Sequence, residues 1–151
     1  MKPRIKFGLI AGVIGLVLTA CVASFLGLCG PFVALFAGAV AGFLTAQQEA
    51  APTKGDGARA GAISGLIAGA IAVVGQLIGG IGTLVLYQFL DLPPLVGSVP
   101  SISADASQQL IYYGSGLGTG LCFGLVGVAL AALAGAAAGY FGTPTPSSSF
   151  D

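Results

Sequence analysis

The chain has 151 residues, 56% of them hydrophobic and 7% charged, with a mean hydropathy of +1.00. A water-soluble domain carries about 25% charged residues, and a chain this short cannot bury so much apolar surface in one core, so the composition excludes an ordinary soluble domain and indicates a membrane protein. Five basic and five acidic residues cancel, which excludes the net positive field typical of nucleic-acid binders, and the lack of histidine removes the commonest neutral-pH proton carrier and metal ligand.

The first apolar run covers 7–28 and follows Lys2, Arg4 and Lys6. Within it, Leu18-Thr19-Ala20-Cys21 has the form of a bacterial lipobox, a basic and apolar leader ending at a cysteine that would be lipidated. The apolar run continues past Cys21 without a polar stretch, which favours an ordinary first span. Cys29-Gly30-Pro31 reads as the turn into a second span at 31–48, glycine ending one helix and proline starting the next. A polar connector at 47–59, "QQEAAPTKGDGAR", follows, with Asp56 placed to cap the third helix.

The third run, 60–88, and the fourth, 110–141, exceed the roughly 20 residues that cross a bilayer. They should therefore tilt, kink or project, with Gly79-Gly80 and the stretch from Gly114 to Gly120 as expected bends. The loop 90–109 between them contains Pro93, Pro94 and Pro100 and no Lys or Arg, and the tail 143–151, ending in "TPTPSSSF" and Asp151, reads as disordered. The positive-inside rule puts the N-terminus and the 47–59 loop in the cytoplasm, the 90–109 loop outside and the C-terminus inside. Tyr87, Phe89, Tyr112 and Tyr113 then fall near the outer interface, and Phe7, Tyr140 and Phe141 near the inner one, where aromatic belts form.

Small residues recur at four-residue spacing, which places them on one helix face. Gly57, Gly61, Gly65 and Gly69 form one ridge, with Ala60, Ser64, Ala68 and Ala72 beside it. The second span has Ala34, Gly38, Gly42 and Ala46; the fourth has Gly116, Gly120 and Gly124, then Gly127, Ala131, Gly135 and Gly139. In water each glycine costs about 1 kcal/mol against alanine in a helix. In lipid, helices associate through close packing, and small residues let backbones approach. These ridges are the expected helix-packing residues, within the chain or against another protein.

Gln76 lies deep in the third span, with Thr83 toward its outer end; the two are candidates for interhelical hydrogen bonds or for a polar path. The three cysteines, Cys21, Cys29 and Cys122, show no CxxC spacing. Cys21 and Cys29 stand about 12 Å apart along a helix at ~1.5 Å per residue, beyond the roughly 7 Å a disulfide spans, so the thiols read as buried small apolar residues. "GSGLGTGLCFG" at 114–124 lacks the preceding strand of a dinucleotide loop. No acid, base, nucleophile and metal ligands cluster, so no catalytic residue, cofactor or metal is expected.

The run "GPFVALFAGAVAGFL", a short polar loop and "GDGARAGAISGLIAGAI" resemble small, glycine-rich, multi-span prokaryotic membrane proteins of unknown function, over residues of about 30–75. The resemblance implies a multi-pass membrane protein and no activity. The mitochondrial inner-membrane translocase channels also have four glycine-rich spans, but their arginine- and aspartate-containing signature is missing here.

The expectation is an all-α, integral membrane four-helix bundle in the plasma membrane of a prokaryote. It would be built of two helical hairpins with both termini cytoplasmic. Without an enzymatic role, it would act as a structural or accessory component in a homo-oligomer or larger membrane complex, in contact with lipid and not with nucleic acid. The alternatives are a small transporter or channel for a neutral or apolar solute, with Gln76 and Thr83 on its path, and a lipid-anchored envelope protein processed at Cys21.

Overall fold

The computed structural model describes residues 2–25, 30–90 and 105–144. Four helices account for 93% of these residues: α1 (Pro3–Phe25), α2 (Gly30–Glu49), α3 (Lys54–Leu90) and α4 (Ala106–Gly142), with no strand among the described residues. All four are long and apolar enough to cross a membrane. The expected outer loop falls largely in 91–104 and most of the tail in 145–151, outside the described residues, as does Cys29 of the expected Cys29-Gly30-Pro31 turn, whose Gly30 and Pro31 begin α2.

Side chains are sorted by size rather than by polarity. Among the described residues the buried hydrophobic ones are all alanines, and the largest fully buried side chains are Thr19, Thr45 and Ser64. Large apolar side chains face outward, among them Phe36 and Leu133, each 68% exposed. In water this would leave an apolar surface far larger than monomeric proteins tolerate. In lipid it is the expected arrangement, because large side chains gain nothing by turning inward while small ones permit close backbone approach.

Arg4 bonds to Glu49, so α1 and α2 run antiparallel. The Gly57–Thr143 and Gly116–Leu84 proximities make α3 and α4 antiparallel too, whereas α1 runs with α3 and α2 with α4. Helices α2 and α3 each touch all the others, while α1 and α4 share no contact among the described residues. The cross-section is therefore a rhombus with α2 and α3 on its short diagonal.

The helix ends have local causes. Thr53 caps α3: its hydroxyl oxygen accepts the Asp56 N–H at 3.1 Å and its hydroxyl donates to the Asp56 carboxylate at 2.6 Å. Asp56 is thus the third helical residue, its carboxylate accepting from the capping hydroxyl of Thr53, correcting the expectation that it is itself the cap. Helix α3 begins at Lys54 and α2 runs to Glu49, so the expected 47–59 loop narrows to 50–53. Ala50 ends α2 in a left-handed conformation (φ 44°), a place usually taken by glycine. Thr143 closes α4, donating to the Gly139 carbonyl at 2.8 Å.

The expected bends at Gly79-Gly80 and Gly114 to Gly120 do not interrupt the helices, which are continuous through both. An opened turn in lipid would strand backbone polar groups without partners. Instead α3 and α4 run on as unbroken helices beyond the two shorter ones. Helices α3 and α4 have 37 residues each, about 55 Å at ~1.5 Å per residue, against the ~30 Å of a hydrocarbon core. Pro31 at the start of α2 lies level with Gly127, so the 106–123 part of α4 and the facing part of α3 extend past α2.

Candidate functional site

The ridge of α3 meets the ridge of α4 backbone to backbone. A Cβ added at Gly61 would fall on the Gly135 carbonyl oxygen, one at Gly65 on that of Ala131, and one at Gly57 on the Thr143 hydroxyl with the Gly139 carbonyl at 2.7 Å. Gly69 is slightly looser, with Val128 Cα and Ala131 Cβ at 3.0 Å. From the other side, Gly38 and Gly42 of α2 press on Ala131 and Gly135. Gly135 thus sits where α2, α3 and α4 converge.

The neighbouring face of α3 receives α1. Gly8 lies against Ser64 and Ile67, Gly12 against Ala68 and Ile71, and Gly15 against Ala72 and Ala37, while Gly75 faces Leu16 and Thr19. Thr19 ties the two helices, its hydroxyl donating to the Gly15 carbonyl at 2.7 Å and reaching the Ala72 carbonyl of α3 at 3.3 Å. Thr45 and Ser64 bond to carbonyls of their own helices, which hides their polarity in the core.

The outer ridge of α4 is different. At Gly116 an added Cβ would meet only the flexible end of Leu84, at Gly120 only Leu77 at 3.7 Å, and at Gly124 the side chains of Val73 and Gln76. These glycines face α3 side chains rather than its backbone. Gly80, Gly82, Gly114 and Gly118 have open space around them.

Gln76 and Thr83 are seven residues apart on α3, on one side of the helix. Thr83 donates to the Gly79 carbonyl at 2.8 Å. Gln76 is 8% exposed and lies against Gly124 and Gly127 of α4, and its Oε1 accepts no hydrogen bond among the described residues. A buried acceptor left so costs about 1–3 kcal/mol. Cys21 and Cys122 are free thiols on exposed surfaces, correcting the expectation of buried thiols for these two; Cys29 lies outside the described residues.

Two polar clusters escaped the sequence reading. Where α3 ends and α4 begins, the Gln88 amide donates to Gln109 Oε1 at 3.0 Å and the Tyr113 hydroxyl to Gln88 Oε1 at 2.6 Å. Tyr112 stacks edge-on against Tyr113 with ring centres 5.4 Å apart. At the opposite end, Arg4 joins Glu49 at 3.1 Å and the Lys54 ammonium lies 5.2 Å over the Tyr140 ring. Their only sequence signal is polarity at helix ends, which does not name partners.

Among the described residues no group of three or more His, Cys, Asp or Glu could hold a metal ion. No family model, curated protein or solved structure is similar to the chain.

Proposed function

We propose that the chain is a non-catalytic, multi-pass structural or accessory protein of a prokaryotic plasma membrane, working inside a homo-oligomer or larger membrane complex. The observation that carries this reading is the size-sorted packing: helices touching through Gly, Ala, Ser and Thr within, and large apolar side chains outside. Such packing makes a rigid unit whose apolar flank is open to lipid or to other spans. All five basic residues, Lys2, Arg4, Lys6, Lys54 and Arg59, belong to the end where α1 and α3 start. That end faces the cytoplasm by the positive-inside rule, with both termini there. Purification in mild detergent from the native membrane tests the role. A defined self-assembly or a constant co-purifying protein is expected, and an isolated monomer would contradict it.

Gln76 favours a second reading, a path for a neutral solute, because its buried Oε1 is ready to accept a hydrogen bond. Solute flux in liposomes that is lost in Gln76→Leu would establish that reading in place of the first. Lipidation at Cys21 is the least favoured: cleavage would remove residues 1–20, which carry the Gly8, Gly12 and Gly15 contacts to α2 and α3. The mass of the intact protein decides it.

A further inference from the structure

We propose that the charged end of the bundle holds the headgroup of a zwitterionic phospholipid with a primary ammonium, of the phosphatidylethanolamine class. A cavity of about 370 Å³ opens there between the start of α1, the end of α2 and the first turns of α3, lined by Arg4, Glu49, Asp56 and Arg59 with Ala51 and Pro52. That volume is within the roughly 300–1,000 Å³ of small-molecule sites.

The lining carries two cations and two anions whose bonding leaves capacity of both signs. Glu49 Oε1 accepts from both the Arg4 backbone N–H and Arg4 Nε, at 3.2 and 3.1 Å. The second Glu49 oxygen and the terminal Arg4 nitrogens have no partner among the described residues. Asp56 uses one carboxylate oxygen on Thr53, and Arg59 is exposed with no ion pair or hydrogen bond among the described residues. The Glu49 side chain is only 15% exposed, yet its second oxygen is not among the buried unpaired atoms, so it faces the cavity mouth open to a donor. A phosphate suits the two guanidinium groups, which bind such oxygens through paired N–H donors. An ammonium suits the two carboxylates.

Position and balance choose among ligands. The cavity lies where the apolar surfaces of three helices end, which is headgroup depth once the chain spans a membrane; the proposal rests on that reading. Basic sites at this depth bind anionic lipids, but within this lining Glu49 and Asp56 balance Arg4 and Arg59, and Lys2, Lys6 and Lys54 of the same end do not line it. A choline headgroup has no N–H to donate, and the lining has no aromatic ring to form the cage that quaternary ammonium groups require.

The test uses the full chain purified in detergent, with phosphatidylethanolamine, phosphatidylcholine and phosphatidylglycerol of matched acyl chains. Native mass spectrometry reads retained lipid, and thermal unfolding reads stabilisation. Phosphatidylethanolamine should be retained at least about tenfold over the other two, the effect of one charge-assisted hydrogen bond. Arg59→Gln breaks no bond in the fold and should lower that retention about tenfold with unchanged unfolding in lipid-free detergent, while Arg59→Lys keeps most of it. Equal retention of the three lipids, preference for phosphatidylglycerol, or full retention by Arg59→Gln would overturn the proposal. Displacement by soluble O-phosphoethanolamine at equal concentration would also overturn it, by assigning the cavity to a soluble zwitterion. Release of the chain from membranes by alkaline carbonate would instead break the membrane reading itself, so the two failures are distinguishable.

Discussion

Replacing Gly61 with alanine adds one methyl group where α3 meets α4. That carbon would fall on the Gly135 carbonyl oxygen and lie 3.0 Å from the Gly135 carbonyl carbon and 3.1 Å from Gly139 Cα. Carbon atoms prefer about 3.5–4.0 Å, and a gap of 0.5–1 Å forfeits roughly a quarter to a half of each pair's attraction. All three obstacles are backbone, so the helices must separate, and the neighbouring contacts at Gly57 and Gly65 loosen with them. Overpacking of this kind costs about 1–3 kcal/mol, offset by at most ~1 kcal/mol from alanine's better helix propensity. Because every obstacle is backbone, the upper part of that range, about 2–3 kcal/mol, applies, and the net is a destabilisation of about 1–2 kcal/mol. Gly80 is the control: the same methyl group there meets nothing within 4 Å, so Gly80→Ala should stabilise by roughly 0.5–1 kcal/mol. Equilibrium unfolding of both variants in mixed micelles, followed by helix signal, measures the difference. If Gly61→Ala is as stable as the parent protein, or if the two substitutions shift stability the same way, the close-approach argument is wrong.

Ala50→Gly should stabilise the protein by about 1 kcal/mol in the same unfolding assay, because the left-handed backbone at Ala50 strains any residue with a Cβ. Gln76→Leu removes a buried acceptor without a partner among the described residues, so on the structural reading it should leave stability unchanged or raise it by up to about 2 kcal/mol; a clear loss would mean that the amide is engaged. Tyr113→Phe deletes the hydroxyl bond to Gln88 and should cost about 0.5–1.5 kcal/mol, with amide exchange quickening first in the last turns of α3 and the first turns of α4.

The number and order of helices were legible because lipid enforces them: long apolar runs must keep every backbone bond within a helix. The faces of the ridges were legible as well, since four-residue spacing fixes direction around a helix. What the ridges would touch was not. Gly61 and Gly120 look alike in sequence, yet one meets backbone and the other only a distant leucine methyl; spacing reports a face and not the distance of its neighbour. Polarity misled at 54–59, where Lys54, Asp56 and Arg59 lie in the first turns of α3. It reports exposure, which the first turns of a helix also have. Glycine pairs misled in the same way, because their freedom to bend has no outlet where an opened turn finds no water. The Gln88–Gln109–Tyr113 cluster joins residues across a long connection, and the polar cavity needs side chains from three helices.

The central claim is that lipid surrounds the large side chains while glycine and alanine fill the interior. Spin labels placed singly on α2 and α4 in reconstituted bilayers, in a cysteine-free background, test it directly. Labels at Phe36, Val40, Leu125 and Leu133, all exposed, should collide often with oxygen, rarely with a water-soluble nickel complex, and move freely. Labels at Ala34 and Ala131, both buried, should be shielded from both reagents or should disrupt the fold. Strong nickel collisions at Phe36 and Leu133, or free motion at Ala131, would contradict the account.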